Sequence, residues 1–407
     1  MKRVVITGMG IISPIGNSID AVLDSLNSNY SGIKKMESWN KINGLRVNIA
    51  GTCQGYDEKR VSRKDRRTMG RMAVMASIAT MDAIDQAGIE NDIIASPDTG
   101  IAMGSTTGSG EIIEKIFTDY SETGGITRLD GTSFMKIMNH TISANVSSML
   151  KTKGRVISPC CACATSTQSI GEGYEIIKNG YQKVMLCGGA DDLHPSTGGV
   201  FDVLHAASKK YCDSPSQTPR PFDRDRDGLV VSEGAGTLLL EDYEHAIGRG
   251  AEILGEVVGY STCCDGNHMT SPGTDGMVRC MSQALTSAKC DISEIDYINA
   301  HATATEQGDI AESEAIKQLA GNTIPVSGTK GYTGHTLAAS GVMEAIFCLL
   351  MMKHSFVAPT LNLENIDPRC DGIQHVKEKI EKDINMVMTN NFAFGGINAS
   401  LILKKYQ

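Results

Sequence analysis

Residues 158–169 read SPCCACATSTQS and crowd Cys160, Cys161 and Cys163 into four positions. The stretch runs into a helical pattern at 166–180, STQSIGEGYEIIKNG, with Gly180 placed as its C-cap. KVMLCGG follows at 183–189 and is apolar almost throughout, as a strand buried on both faces should be. The same alternation recurs along the chain. Strand-like runs stand at 4–10, 99–105, 236–242, 297–303, 324–330 and 386–394. Helical patterns stand at 67–88, with Gly88 as C-cap, and at 277–289, 309–321 and 340–354. Alternating strands and helices predict an α/β fold. No composition shift marks an internal boundary, and a joint near residue 250 is expected, giving parts 1–250 and 251–407.

The bulk numbers narrow the function. The chain has 407 residues, 41% hydrophobic and 21% charged, enough for a substantial core. Its net charge of −9 argues against nucleic acid as a partner. The N-terminal MKRVVITGMGIISPIG lacks the long apolar run of a signal peptide, because Gly8, Gly10 and Pro14 interrupt it. It reads as a strand from Val4 to Thr7 entering a glycine turn. The run GVMEAIFCLLMM at 341–352 carries Glu344 and is too short to cross a bilayer. No membrane insertion and a cytoplasmic setting are expected, with the 12 cysteines as reduced thiols. No CxxC pair faces a second Cys or His pair, so no metal site is expected.

Two motifs mislead. TGMGIIS at 7–13 follows a strand like a dinucleotide fingerprint, but its third glycine is Ser13 and Pro14 comes next. FDRDRDGLVVSEG at 222–234 places Asp223, Asp225 and Asp227 like calcium-loop ligands, yet Gly234 stands where a bidentate Glu is needed. A structural Asp/Arg salt-bridge loop is the better reading.

A cysteine attacks only as its thiolate, and a helix N-terminus favours that anion. Cys163, with small Ala164, Thr165 and Ser166 beyond it, is placed for this effect. Cys160 and Cys161 lie one turn back and read as small buried hydrophobes; alone, Cys163 fits either role. Possible partners are His301 in NAHATATEQGD, and Lys330 and His335 in SGTKGYTGHTLAASG. NNFAFGGINAS follows near the C-terminus, with Phe394 before Gly395 and Gly396.

Together these stretches carry a resemblance. ACATS at 162–166, HxTxT at 301–305, SxTKxxxGH at 327–335 and NxFxFGGxN at 390–398 resemble the motif set of the elongating β-ketoacyl-ACP synthases. VITGMGIISPIGN at 5–17, FDxxRDG at 222–228 and GEVVGYSTCCDGNHMTSP at 255–272 extend it nearly end to end. The resemblance implies a thiolase-like, five-layered αβαβα fold of two pseudo-repeated halves. It also implies a dimer, with the segment Phe134 to Ile142 lining the partner's acyl tunnel. The implied reaction is a decarboxylative Claisen condensation of malonyl-ACP with a Cys-bound acyl chain. Cys163 would carry that chain. The N–H groups of Cys163 and Phe394 would form the oxyanion hole, and His301 and His335 would stabilise the enolate. Lys330, paired with Glu344, would support the site. Thr303 and Thr305 would bind the pantetheine arm, Phe394 would gate the pocket, and Phe392 and Glu344 would complete the substrate-binding set. Thr107 would tune tunnel depth. No cofactor is implied.

The implied partner is an acidic acyl carrier protein. SRKDRR at 62–67 offers Arg63, Lys64, Arg66 and Arg67 as its docking patch, in preference to a merely solvated helix start. Ala302, Asn391, Ala393 and Ile397 replace the usual Gly, Ser, Gly and Thr of the motifs. Fatty-acid elongation is the leading expectation. A specialised type II synthase making a polyene or polyketide, paired with itself or a sister subunit, is the alternative. A non-catalytic pairing subunit is a third, disfavoured by the intact Cys163/His301/His335 set.

Overall fold

The computed structural model describes all residues except Thr127, Arg128 and Gln407. Eleven strands form the main sheet: β1 (Val4–Ile12), β2 (Thr99–Gly104), β3 (Val156–Ile157), β4 (Val184–Asp191), β5 (Gly234–Asp242), β6 (Gly255–Cys264), β7 (Tyr297–Ala300), β8 (Pro325–Gly328), β9 (Gln374–His375), β10 (Met386–Ala393) and β11 (Ile397–Lys404). Their order is β9-β8-β7-β10-β11-β6-β1-β5-β4-β2-β3. From the central pair outward, each side repeats one plan. The first strand pairs antiparallel with the last, and the last antiparallel with the penultimate. The penultimate strand pairs parallel with the second, and the second parallel with the third. Among the described residues, only Val4–Ile6 against Gly255–Val257 pairs β1 with β6 across the middle.

Five helices matter for the layers: α1 (Arg71–Ala87), α2 (Thr165–Lys178), α3 (Thr274–Ala288), α4 (Glu306–Ala320) and α5 (Ser340–His354). Period-two alternation in the strands sorts them into three cores. Met185, Cys187, Leu238 and Leu240 face α2 and α5 in the central core. Their neighbours Val184, Leu186 and Leu239 face α1 in an outer core. In the other half Val387, Leu401 and Leu403 face the centre, while Met388 and Ile402 face α3 and α4. The central core encloses the middle helix layer and each outer core seats a helix layer on the far face of the sheet, which gives five layers, α/β/α/β/α. Each fully buried leucine of Leu238–Leu240 contributes about 2 kcal/mol of burial free energy.

Several local expectations need correction. β1 does not end at Thr7; it continues through Gly8 and Gly10 to Ile12. A Cβ at Gly8 would lie 2.0 Å from the Ala83 carbonyl oxygen, and one at Gly10 would lie 1.9 Å from that of Ala79. The glycines let α1 rest directly on the strand and form no turn. Helix α1 does end at Gly88, in the left-handed region at φ 58°. Helix α2 is capped by Asn179, one residue before Gly180. Cys160 is exposed and Cys161 half-buried, so neither is a core residue.

The stretch Leu337–His354 has 18 residues and a mean hydropathy of 1.4, so by length and composition it passes for a membrane span. It is longer than 341–352, yet 89% of it is buried inside the protein. In the 222–228 loop, Asp223 accepts from the backbone N–H groups of Asp225, Glu364 and Asn365, while Asp227 turns to Ser208, Lys209 and Lys210. Arg226 is buried against Asp367 at 2.7 Å. The carboxylates diverge and brace the loop.

Candidate active site

Cys163 lies in the short 3-10 turn Ala162–Ala164 that leads into α2, and His335 lies just ahead of the matching turn Leu337–Ala339 that leads into α5. The two helix ends abut: the Val342 N–H donates to Ser166 Oγ at 2.9 Å. Both positive helix ends therefore lie close to one spot, which favours developing negative charge there. His301 arrives on the loop after β7. That strand stops at Ala300 because the loop turns into the left-handed region, with φ 41° at Ala302 and 66° at Ala304. Alanine at Ala302 carries strain of about 1 kcal/mol that glycine would avoid. Ala393, at φ −105°, carries none.

One cavity of about 450 Å³ is lined by Cys163, His301, His335, Thr303, Thr305, Phe392 and Phe394, among others. His335 Nε2 lies 2.9 Å from Cys163 Sγ. The two imidazoles meet edge to face, centroids 5.3 Å apart. Cys163, His301 and His335 each present a ligating atom, all within 4.8 Å of one another. A metal ion could be imagined there, but the Lys330 ammonium, 3.2 Å from His301 Nδ1, would repel a cation. The set suits neutral and anionic chemistry.

Lys330 and Glu344 stand behind this wall. Lys330 Nζ donates to Glu344 Oε1 at 2.6 Å and to the His301 carbonyl oxygen, and both residues are fully buried. Neither is among the residues lining the cavity, so the structure sets Glu344 behind the wall and not on the substrate-facing surface expected from sequence. Burial, then the Lys330 charge, hold His301 and His335 well below the usual histidine range, so both rings are neutral. Burial also pushes the Cys163 thiol up to about 12, against the pull of Lys330. The sequence placed Cys163 for a lowered thiol; in the fold, desolvation outweighs the favourable neighbours.

The FGG turn at 394–396 closes one side. Gly395 and Gly396 have φ of 83° and 70°, and a Cβ on Gly396 would strike Asp265 Oδ1 at 2.0 Å. The Gly395 N–H donates to the Met269 carbonyl, which ties the turn to the 265–270 segment. Phe394 is partly exposed and its ring lies 5.8 Å from Phe201. Thr303 Oγ1 and Thr305 Oγ1 share a hydrogen bond at 2.9 Å. Thr107 is exposed and is not among the residues lining this cavity. Arg63, Lys64 and Arg67 are exposed around the short helix Arg63–Arg66, whereas Arg66 is half-buried with Glu58 3.9 Å away.

Three supporting residues were not singled out as site residues from sequence. Glu312 accepts the N–H groups of His301 and Ala302 at 2.7 Å, and Asp309 accepts that of Ala304. Asn391 donates to Glu344 and lies against His301. Buried acids on α4 share the helical pattern with solvated ones, so periodicity could not separate them. Asn391 stood out only as a departure from a motif.

Comparison with known proteins gives a family match over most of the chain. The β-ketoacyl synthase N-terminal domain matches residues 1–246, and the β-ketoacyl synthase C-terminal domain residues 254–364. A 3-oxoacyl-[acyl-carrier-protein] synthase 1 from Haemophilus influenzae is 39% identical over 408 residues, covering both chains in full. A β-ketoacyl synthase structure from Burkholderia phymatum superposes over the whole of both chains with a TM-score of 0.96 at 43% identity. A type II polyketide ketosynthase solved with its acyl carrier protein superposes at 0.91 and 28% identity, again covering both chains in full.

Proposed function

The chain belongs to the β-ketoacyl synthase family, and we propose that it elongates fatty acids as a 3-oxoacyl-[acyl-carrier-protein] synthase. The observation that carries this reading is the convergence of Cys163, His301 and His335 within 4.8 Å on one cavity. In the first half-reaction Cys163 Sγ attacks the acyl thioester of the carrier. Sγ attacks as the thiolate, which the helix end and the His335 Nε2–H favour; the proton that Cys163 releases is balanced by one taken up on the carrier's departing sulfur, and the N–H groups of Cys163 and Phe394 hold the oxyanion. Malonyl-ACP then enters and loses CO2, and the released electron pair becomes an enolate on its thioester. The Nε2–H groups of His301 and His335 donate to that oxygen. In this reading Ser340 Oγ, 3.0 Å from His335 Nδ1, gives its proton to that nitrogen, which leaves the ring proton on Nε2. The enolate carbon attacks the Cys163 thioester, forming the C–C bond. The expelled Cys163 thiolate takes a proton from solvent, and 3-oxoacyl-ACP departs. Thr303 and Thr305 bind the pantetheine arm. The residues 1–250 and 251–407 act as the two repeated halves, one bringing the nucleophile and the other the imidazoles. The unpaired thiols fit a reducing, cytoplasmic setting.

The test is reconstitution with a panel of acyl-ACPs and malonyl-ACP. Saturated chains are expected to gain two carbons through a Cys163-linked acyl intermediate. Preference for conjugated or aryl-primed chains would replace fatty-acid elongation with a specialised pathway. No acyl transfer to Cys163 from any carrier would make the chain a non-catalytic subunit.

Arg63, Lys64, Arg66 and Arg67 form the carrier-docking patch in this reading. The double variant Arg63→Glu/Arg67→Glu is expected to raise the apparent KM for carrier about tenfold at low salt, shrinking towards wild type at high salt. Equal effects at both salt concentrations would remove the patch from the docking surface. We also place a second subunit, identical or sister, against the helix Gly110–Thr123 and Phe134. That helix buries none of its own residues, and Phe117, Tyr120 and Phe134 are exposed.

A further inference from the structure

Asn391 occupies the penultimate strand β10 one residue before Phe392 and is fully buried. Its amide is hydrogen-bonded on every side that the neighbours offer. Nδ2 lies 2.7 Å from Glu344 Oε2 and 3.2 Å from His301 Nδ1, and Thr167 Oγ1 donates to Oδ1. The amide orientation follows from chemistry. The Glu344 carboxylate, ion-paired with Lys330, can only accept, so the NH2 group must face it. The second hydrogen of the same NH2 is then left for His301 Nδ1.

Lys330 adds a second constraint. Its ammonium has three hydrogens and three neighbours: Glu344 Oε1, the His301 carbonyl and His301 Nδ1. An ammonium and an amide NH2 both point at one ring nitrogen, and neither can accept. Nδ1 therefore carries no proton, and the single proton of the neutral ring sits on Nε2, which the enolate oxygen must meet.

We infer that Asn391 is a positioning residue that, with Lys330, locks His301 in the Nε2–H tautomer and so arms it as a hydrogen-bond donor for malonyl decarboxylation. The inference rests on the enolate-stabilising role proposed above for His301. Asn391 touches no substrate; its amide links Thr167 of α2, Glu344 of α5 and the ring of His301 into one hydrogen-bonded chain. A wrong tautomer would turn a lone pair towards the enolate oxygen, where repulsion replaces stabilisation.

The groups that bear on the charge of His301 are few. Lys330 and Glu344 lie behind the ring, Glu312 and Asp309 of α4 hold its loop by backbone N–H groups, and Cys163 and His335 stand across the cavity. Asn391→Asp replaces the NH2 with a carboxylate that accepts from Nδ1–H and opposes Glu344. It should draw the single proton of the neutral ring onto Nδ1, leaving the Nε2 lone pair towards the enolate oxygen, and raise the ring's affinity for a second proton.

The experiment measures malonyl-ACP decarboxylation by the full-length enzyme from pH 5 to 9. Asn391→Asp is expected to cut the rate at pH 7 by about 30-fold or more, and to move the acid limb to higher pH. Asn391→Ser keeps a small donor with room for a bridging water and should stay within about 3-fold of wild type, its limb unmoved. If Asn391→Asp does not fold, Asn391→Leu carries the test, with an expected loss of about 10-fold and no shift of the limb. A wild-type rate and profile in Asn391→Asp, or in Asn391→Leu when that variant is needed, overturns the assignment. His301→Ala run alongside separates the two readings. If His301→Ala decarboxylates like wild type, the role of His301 fails; if His301→Ala is dead while the Asn391 variants are normal, only the inference about Asn391 fails.

Discussion

Cys163→Ala should abolish condensation, by more than about 10⁴-fold, because no other group can hold the acyl chain between the half-reactions. Neighbouring thiols do not substitute. Cys160 is exposed and its sulfur is turned to the Thr106 carbonyl, while Cys161 lies outside the cavity lining. Malonyl decarboxylation is expected to survive, because its donors are the two imidazoles and neither depends on the sulfur for its proton position. His301 keeps its Nδ1 partners, and His335 keeps Ser340. The variant loses one hydrogen-bond partner of His335 and leaves a small space beside the ring. Mass spectrometry should find no acyl adduct, while release of CO2 from malonyl-ACP continues within about tenfold of wild type. Loss of both half-reactions with the fold intact would mean that Cys163 is not the isolated nucleophile of this mechanism.

The limits of the sequence follow from the same geometry. Strands β2, β4 and β5 were legible because burial on both faces leaves an apolar run, and helix α1 because Gly88 ends it. Gly8 and Gly10 misled, since their cause is the backbone of α1, which no local pattern contains. β7 ended early because of positive φ angles at alanines, residues that rarely announce them. The duplicated strand order could not be read, because it is held in pairing and not in repeated residues. Cys163, His301 and His335 were legible only as a set, each motif alone fitting a cap or a core. Their helpers Glu312 and Asn391 become visible only when distant strands and helices bring them to one ring.

Lys330→Met tests whether the charge behind the wall matters to the chemistry. Removing the ammonium leaves Glu344 buried without its ion-pair partner, and breaking such a pair costs about 3–5 kcal/mol. Burial already raises the Glu344 carboxyl, with Lys330 holding it down, so the carboxyl should rise further and take a proton more readily. The histidines respond in the same direction. Lys330 is a cause of the lowering at both His301 and His335, so both should move back towards the ordinary range. In the wild type a folded pKa below the unfolded one means that stability is present above about pH 6.5 and is lost as pH falls towards the lowered value. In Lys330→Met that acid loss should be shallower, and the rings should take up a proton at higher pH. Decarboxylation should fall at pH 7 because no ammonium then keeps His301 Nδ1 unprotonated, and its acid limb should move up with the ring titration. The double variant Lys330→Met/Glu344→Gln should regain much of the stability without regaining the rate, because no unpaired charge is left inside and no ammonium holds His301 Nδ1. An acid limb that stays in place in Lys330→Met would show that the ammonium is packing alone and tunes neither ring.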